Sequence, residues 1–199
     1  LTVSGGHTDL LYFEDLGDYE IIGRTIDDAA GEAFDKVARV MEAGFPGGPA
    51  IDKLAKKGDP EAIDLPRPMI NDSSYNFSFS GLKTAVLNYI NNTKQRGEEV
   101  PKADLAASFQ QAVVDVLTQK VTKAAADKGV ENILLAGGVA ANSQLRDELE
   151  DKLALENKKL YYPELKICTD NAAVIASAGY FNWQQNKEGA GYDLNAEPN

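Results

Sequence analysis

The chemistry available to this sequence sits in short glycine-containing stretches and a few carboxylates. Ser4-Gly5-Gly6-His7-Thr8 lies between two strand-like stretches. Paired glycines there let the main chain approach an anion and offer N–H groups to phosphate oxygens. The same residues also read as an ordinary hairpin turn with glycine at positive φ. His7, the only histidine, reads by itself as a hydrogen-bonded structural group rather than a ligand. Gly137-Gly138 follows a strand pattern and opens a helix, the place where parallel α/β sheets bind nucleotides, and Asn142 in the first helical turn can face a ligand there. Gly47-Gly48 lies between Asp35 and Asp52, two carboxylates that can bracket a ribose or a metal. Taken alone, both read as solvated charges on helix surfaces.

Two further stretches admit two readings each. Thr169-Asp170-Asn171 precedes an apolar helical pattern, so Asp170 reads as an N-cap. An aspartate there can equally ligate a metal, but no HxxxH or HExxH spacing supplies partners. Ser78-Phe79-Ser80-Gly81-Leu82-Lys83-Thr84 lacks Walker spacing. It reads as a capped helix start with a surface lysine, or as an anion contact.

The elements that must position these groups follow from periodicity. Residues 1–3, 9–14 and 19–26 are β-branched or aromatic stretches separated by turn residues, the pattern of an antiparallel meander. Apolar spacing predicts a helix over 29–43, with Asp27 or Asp28 capping its first turn, and a short one over 51–57 after a break at 45–49. Residues 62–76 are Pro- and Asp-rich and irregular. Helices are expected over 80–92 and over 103–128, the latter the longest, amphipathic throughout and closed by Gly129. A strand at 132–136, a helix at 140–155, a strand at 159–162 and a helix at 170–185 then alternate, which implies parallel strands joined by right-handed crossovers. Residues 187–199 form a polar tail. The order suggests one ribonuclease-H-like half of the actin-type ATPase fold, over residues 1–186, with a helical insert at about 45–128.

Composition narrows the class. The 199 residues are 43% hydrophobic and 8% aromatic, enough for a core. A formal net charge of -11 disfavours nucleic-acid contact except through a local patch, a further segment or a partner. One cysteine excludes an internal disulfide framework and a thiolate zinc cluster, and fits a reducing cytosol. The first residues already read as a buried strand, which predicts a piece of a longer chain.

Taken together, LTVSGGHT, DDAAGEAFDK, FPGGPAID, NFSFSGLKT, LLAGGVAAN and CTDNAA resemble, in order and spacing, the bacterial tRNA adenosine threonylcarbamoyltransferase family, once labelled O-sialoglycoprotein endopeptidase. The resemblance implies a two-part protein of the actin/Hsp70/sugar-kinase architecture, lacking its amino-terminal part here. Such an enzyme moves a threonylcarbamoyl group from threonylcarbamoyl-adenylate to the amine of the adenine beside the anticodon, with AMP as leaving group. It also implies that Leu1, Thr2, Val3, Ser4, Gly5 and Gly6 contact substrate or nucleotide, with Asp35, Gly48, Asp52 and Asn142 completing the pocket. Asp170 matches a ligand to iron or zinc whose partner histidines lie in an HxxxH motif upstream of SGGHT. The family's partners would be a small paralogue, an ATPase and tRNA, in the cytoplasm.

No side chain stands out as a nucleophile, which agrees with direct transfer. Three other functions compete: a protease, which needs a placed general base this chain lacks; a non-catalytic scaffold of the same fold; and a sugar or acetate kinase.

Overall fold

The structure, a computed structural model, describes residues 1–186, 189, 191, 194 and 195. Most of the polar stretch expected as a tail therefore lies outside the described residues. Three strands open the chain: β1 (Thr2–Val3), β2 (Thr8–Asp15) and β3 (Asp18–Arg24), paired antiparallel in that order. Leu16-Gly17 turns β2 into β3, with Gly17 at φ 84°. Further along, β4 (Asn132–Leu134) and β5 (Lys159–Tyr161) pair in parallel. The two sheets join at a parallel bridge between Thr2 and Ala136, where the Val3 N–H donates to the Ala136 carbonyl (2.8 Å) and the Ala136 N–H to that of Leu1 (2.9 Å). Across the junction the strand order is β3-β2-β1-β4-β5. The described residues are thus mixed α/β, an antiparallel meander continued by one parallel β-α-β unit, β4-α5-β5.

Six α-helices among the described residues flank these strands: α1 (Ala30–Val40), α2 (Gly47–Ala55), α3 (Ser80–Gln95), α4 (Lys102–Asp127), α5 (Ser143–Leu155) and α6 (Ala172–Asn186). Ala33, Phe34 and Val37 form the buried stripe of α1, and the Phe34 ring meets Phe109 of α4 edge-on at 5.2 Å. Each such phenylalanine contributes about 1.5–3 kcal/mol on burial. The expectation of an amphipathic α4 needs correction, because this helix is buried on more than one face, packed by α2, α3 and α5. Its buried polar side chains are all bonded. Ser108 Oγ accepts from the Ile63 N–H, and the ammonium of Lys120, wholly buried, donates to the Asp72 and Ser74 carbonyls at 3.0 and 2.6 Å. These bonds hold the irregular stretch before α3, which has no secondary structure to satisfy its own carbonyls.

The break expected at 45–49 is shorter than its composition suggests. Gly47 and Gly48 form the first turn of α2 behind Pro46, and Pro49 is tolerated there because first-turn N–H groups need no helical partner. The capping of α1 also differs from expectation. Neither Asp27 nor Asp28 caps it; the buried Thr8 hydroxyl accepts from the Ala30 N–H (2.9 Å) and the Ser4 carbonyl from that of Gly31 (3.0 Å). Asp27 instead caps α3, its Oδ1 accepting from the Phe79 and Ser80 N–H groups at 2.8 and 3.2 Å.

Asp28 joins α1 to α3 through Lys36 at 2.9 Å and Lys83 at 2.7 Å. Lys83 is therefore committed to an ion pair rather than free on the surface. Burial pushes the Asp28 carboxyl up, but the hydrogen bonds from Lys83 and Lys36 outweigh it and hold the group below its usual range. A carboxyl depressed in the folded state stabilises fully above its unfolded value, about 4, and loses that contribution as pH falls through the folded value. Asp28→Asn is thus expected to lower stability at pH 7 by about 1.5–3 kcal/mol, with the deficit shrinking toward pH 3. Urea midpoints of both proteins at the two pH values measure this; a deficit unchanged with pH would contradict it.

Several apolar side chains stay open to solvent. Ile175 (73% exposed) and Trp183 (53%) of α6, with Leu134 and Tyr161 of the parallel strands, are accessible. No helix among the described residues is long and apolar enough to cross a membrane.

Candidate functional site

Close packing of glycines draws several loops together where β1 and β4 end. A Cβ on Gly31 would stand 2.6 Å from the Ser4 carbonyl oxygen, so only glycine lets α1 begin against the Ser4–Thr8 loop. Gly47 packs on Asp35, whose Oδ1 accepts the Gly47 N–H at 2.7 Å. Gly137, at φ 95°, lies against the Val3 main chain, where a side chain would overlap the Val3 carbonyl. Gly31, Gly47 and Gly137 are thus explained by the fold itself.

Their neighbours are not. Around Gly5, Gly6, Gly48 and Gly138 nothing lies within 4 Å of a Cβ position, and none has positive φ. Neither backbone conformation nor internal packing demands glycine there, which excludes the positive-φ hairpin reading of Gly5-Gly6. What these positions share is bare main chain beside open space, the property a close-fitting ligand uses.

The Ser4–Thr8 loop holds itself in shape. Ser4 Oγ accepts from the N–H groups of Gly6 (3.3 Å) and His7 (3.0 Å), and the Ser4 N–H donates to the His7 carbonyl (2.8 Å). Three of the loop's N–H groups, those of Ser4, Gly6 and His7, are therefore already occupied; that of Gly5 has no partner among the described residues. The His7 imidazole is exposed and, contrary to the structural expectation, makes no hydrogen bond among them. Ser4 meets the His7 main chain, not its ring, so the two are not arranged as a hydrolytic pair. Leu1 and Val3 point into the core and Thr2 is half-buried, which leaves main chain rather than side chains for any contact by Leu1 and Val3.

Asp35 and Asp52 are not the solvated surface charges that their sequence context suggested. Asp35 holds Gly47, as above. Asp52 Oδ1 accepts from Ser143 Oγ (3.0 Å) and Gln110 Nε2 (3.3 Å), while Oδ2 pairs with Lys56 (3.0 Å). Asn142 is itself the N-cap of α5, its Oδ1 accepting from the Leu145 N–H at 2.9 Å, and its Nδ2 donates to Gln110 Oε1 at 2.8 Å. It therefore precedes the helix instead of lying in its first turn, because residues 138–141 form a separate 3-10 turn.

Asp170 does not cap α6. Asn171 does so, its Oδ1 accepting from the Val174 N–H at 3.1 Å, and the exposed Asp170 carboxylate has no bond among the described residues. Its oxygens are free to donate to a cation. One carboxylate does not make a metal site, however, and no group of three or more His, Cys, Asp or Glu side chains among the described residues could hold an ion.

Two residues that join these loops carry no motif. Gln110 bridges Asp52 and Asn142, and Arg146 ties the Ala140 carbonyl to the Pro163 carbonyl (3.1 Å) and Cys168 Sγ (3.2 Å). The one legible signal was Gln110-Gln111, an amide pair inside the apolar run of α4. An apolar recess of 260 Å³ between β1, β2 and α4, lined by Leu10, Ile22, Val121 and Ala125 among others, includes none of the glycine-loop residues.

Comparison with known proteins places this arrangement in a family. Residues 1–177 match the family described as tRNA N6-adenosine threonylcarbamoyltransferase (TsaD). Enzymes of that name are 55% identical in Bacillus cereus and 54% in Bacillus subtilis strain 168, each over 199 residues, all of this chain and 57% of the relative. That of Clostridium beijerinckii is 53% identical over 201 residues, 58% of its length. The chain thus spans a little over half the length of the relatives it matches. Among solved structures, full-length HypF in a phosphate- and nucleotide-bound form aligns with a TM-score of 0.57 at 20% identity, covering 80% of this chain and 25% of that one. HypF of T. kodakarensis aligns at 0.53 with 17% identity, over 79% and 21%. These two likenesses concern the fold. The match over residues 1–177, with identity above one half along the whole chain, shows that it belongs to the tRNA N6-adenosine threonylcarbamoyltransferase family.

Proposed function

We propose that residues 1–186 are the carboxyl-terminal, ribonuclease-H-like part of a two-part actin-type ATPase-fold enzyme, with a helical insert at about 45–128. The full-length protein transfers threonylcarbamoyl from threonylcarbamoyl-adenylate to the amine of the adenine beside the anticodon of tRNA. The strand order β3-β2-β1-β4-β5, antiparallel then parallel, supports the fold reading. The exposure of Ile175 and Trp183 on α6 and of Leu134 and Tyr161 on the parallel strands supports a second part that covers them. A small paralogue and an ATPase would assist in the cytoplasm, and the net charge of -11 leaves most of the tRNA contact to other parts of the assembly.

The observation that carries the reading is the set Gly5, Gly6, Gly48 and Gly138, bare of side chains where nothing among the described residues requires it. These glycines and Ser4 would form one wall for the adenylate, with main-chain N–H groups toward charge developing on carbonyl and phosphate. Leu1, Thr2 and Val3 set that wall, and Asp35, Asp52 and Asn142 complete it. The nucleotide amine attacks the carbamoyl carbon, the bond to the phosphate oxygen breaks, AMP leaves, and the amine proton is lost to solvent. Asp170 would contribute one ligand to an iron or zinc ion whose other ligands lie outside this chain. That ion would supply Lewis-acid polarisation when bound.

Asn142→Asp tests the nucleotide site. Aspartate caps a helix about as well as asparagine, so the cap bond from the Leu145 N–H should persist and α5 should stay folded, at the cost of the Nδ2 bond to Gln110. The change removes the amide donor and adds a negative charge beside an anionic ligand. AMP affinity of the full-length protein, measured by calorimetry, should fall about tenfold or more. Unchanged affinity would overturn the assignment of this end of the sheet to nucleotide.

A further inference from the structure

Gln110, on α4 and 2% exposed, is the one side chain among the described residues bonded to both Asp52 of α2 and Asn142 at the start of α5. We propose that Gln110 is a positioning residue that sets Asp52 and Asn142 as one preorganised unit for an adenine nucleotide. The inference rests on the nucleotide reading above.

The direction of this relay is fixed at both ends. The Leu145 N–H can only donate, so Asn142 presents Oδ1 to it at 2.9 Å and turns Nδ2 toward Gln110. Gln110 then presents Oε1 to Asn142 at 2.8 Å, and its Nε2 donates to Asp52 Oδ1 at 3.3 Å and Gln144 Oε1 at 2.9 Å. Asp52, ionised, can only accept. Reversing the Gln110 amide would set its oxygen against Asp52 and its nitrogen against that of Asn142. A side branch is polarised the same way: Gln144 Nε2 donates to Gln111 Oε1 (2.5 Å) and Glu148 (3.0 Å), and Gln111 Nε2 to Glu148 (2.8 Å) and Asp115 (2.9 Å). Every amide nitrogen ends on a carboxylate or on another amide oxygen, and no buried side-chain nitrogen or oxygen among the described residues lacks a partner.

This arrangement leaves Asn142 one amide hydrogen, and its direction follows from the bond to Gln110. A buried network with every member satisfied holds its geometry without reorganising when a ligand arrives. Leucine at position 110 would fill the space but leave Asn142 Nδ2 without its acceptor and take one donor from Asp52, which Ser143 and Lys56 would still hold. Glutamate is nearly isosteric and, when ionised, cannot donate to Asp52 or Gln144. The charged groups around position 110 are Asp52 of α2, Lys56 just past its end and, through Gln111 and Gln144, Asp115 of α4 and Glu148 of α5.

Burial and the nearby Asp52 carboxylate should raise the pKa of a glutamate at this position above the ordinary range. Protonated, it regains a donor and the relay can re-form. AMP binding to the full-length protein is therefore measured by calorimetry for wild type, Gln110→Glu and Asn142→Asp at pH 8 and pH 5.5, each variant expressed relative to wild type at the same pH. Melting temperatures at both pH values verify that each protein is folded. Gln110→Glu should bind about tenfold more weakly at pH 8 and recover most of that loss at pH 5.5. Wild-type affinity at pH 8, or a loss in a folded protein that is the same at both pH values, would overturn the positioning role. If Asn142→Asp retains its affinity, the nucleotide reading itself fails; if it loses affinity while Gln110→Glu does not, only the present inference fails.

Discussion

Gly137→Ala is expected to destabilise the protein by at least about 3 kcal/mol, the largest effect of any single methyl group added at the candidate site. Two penalties coincide. Gly137 adopts φ 95° and ψ 171°, a conformation essentially reserved for glycine, and its Cβ position overlaps the Val3 carbonyl. Val3 cannot retreat, because it is wholly buried and its N–H is bonded to the Ala136 carbonyl at the junction of β1 with β4. Relief of the clash would open the seam that joins the antiparallel and parallel strands. Gly138→Ala is the control: with open space at its Cβ and no positive φ, it should keep its stability within about 0.5 kcal/mol while weakening AMP binding. Urea midpoints and calorimetry on both variants decide the matter, and equal stability of the two would refute the packing argument.

Asp170→Asn in the full-length protein should separate metal from fold more sharply than any other change at this end of the molecule. Asn171 holds the α6 cap, and Asp170 bonds to nothing among the described residues. The melting temperature of the metal-free protein should therefore barely move, since only a weak charge–dipole term of about 0.3–1 kcal/mol is lost. On the proposed reading the same change removes an anionic oxygen from the ligand set. Metal affinity should fall by at least about 100-fold and threonylcarbamoyl transfer with it. Asn171→Ala should do the reverse, costing about 1 kcal/mol of stability and leaving metal content intact. Elemental analysis beside thermal melting reads both; normal metal content and activity in Asp170→Asn would sink the ligand assignment.

The sequence by itself determined the order and type of the elements. Glycine and aspartate turns between β-branched runs mark the meander, apolar residues at helical spacing mark α1 and α4, and Gly129 at φ 65° closes α4 as expected. These signals are local, carried by residues within a turn or two of one another. The glycine pairs were equally visible, but not their division of labour. Only the tertiary structure decided that Gly47 and Gly137 serve packing while Gly48 and Gly138 face open space, because the atom that would clash with a Cβ belongs to Asp35 or Val3, far away in the chain.

Capping and charge pairing escaped the sequence for the same reason. Asp27 sits beside α1 and caps α3, while Thr8, 22 residues upstream, caps α1. A hydrogen bond satisfies a buried donor equally well from any distance along the chain, so proximity in sequence is a poor guide to which acceptor wins. Gln110 is the sharpest case. On sequence it is a polar interruption in an apolar helix, and its meaning appears only when α2 and α5 bring Asp52 and Asn142 to either side of its amide.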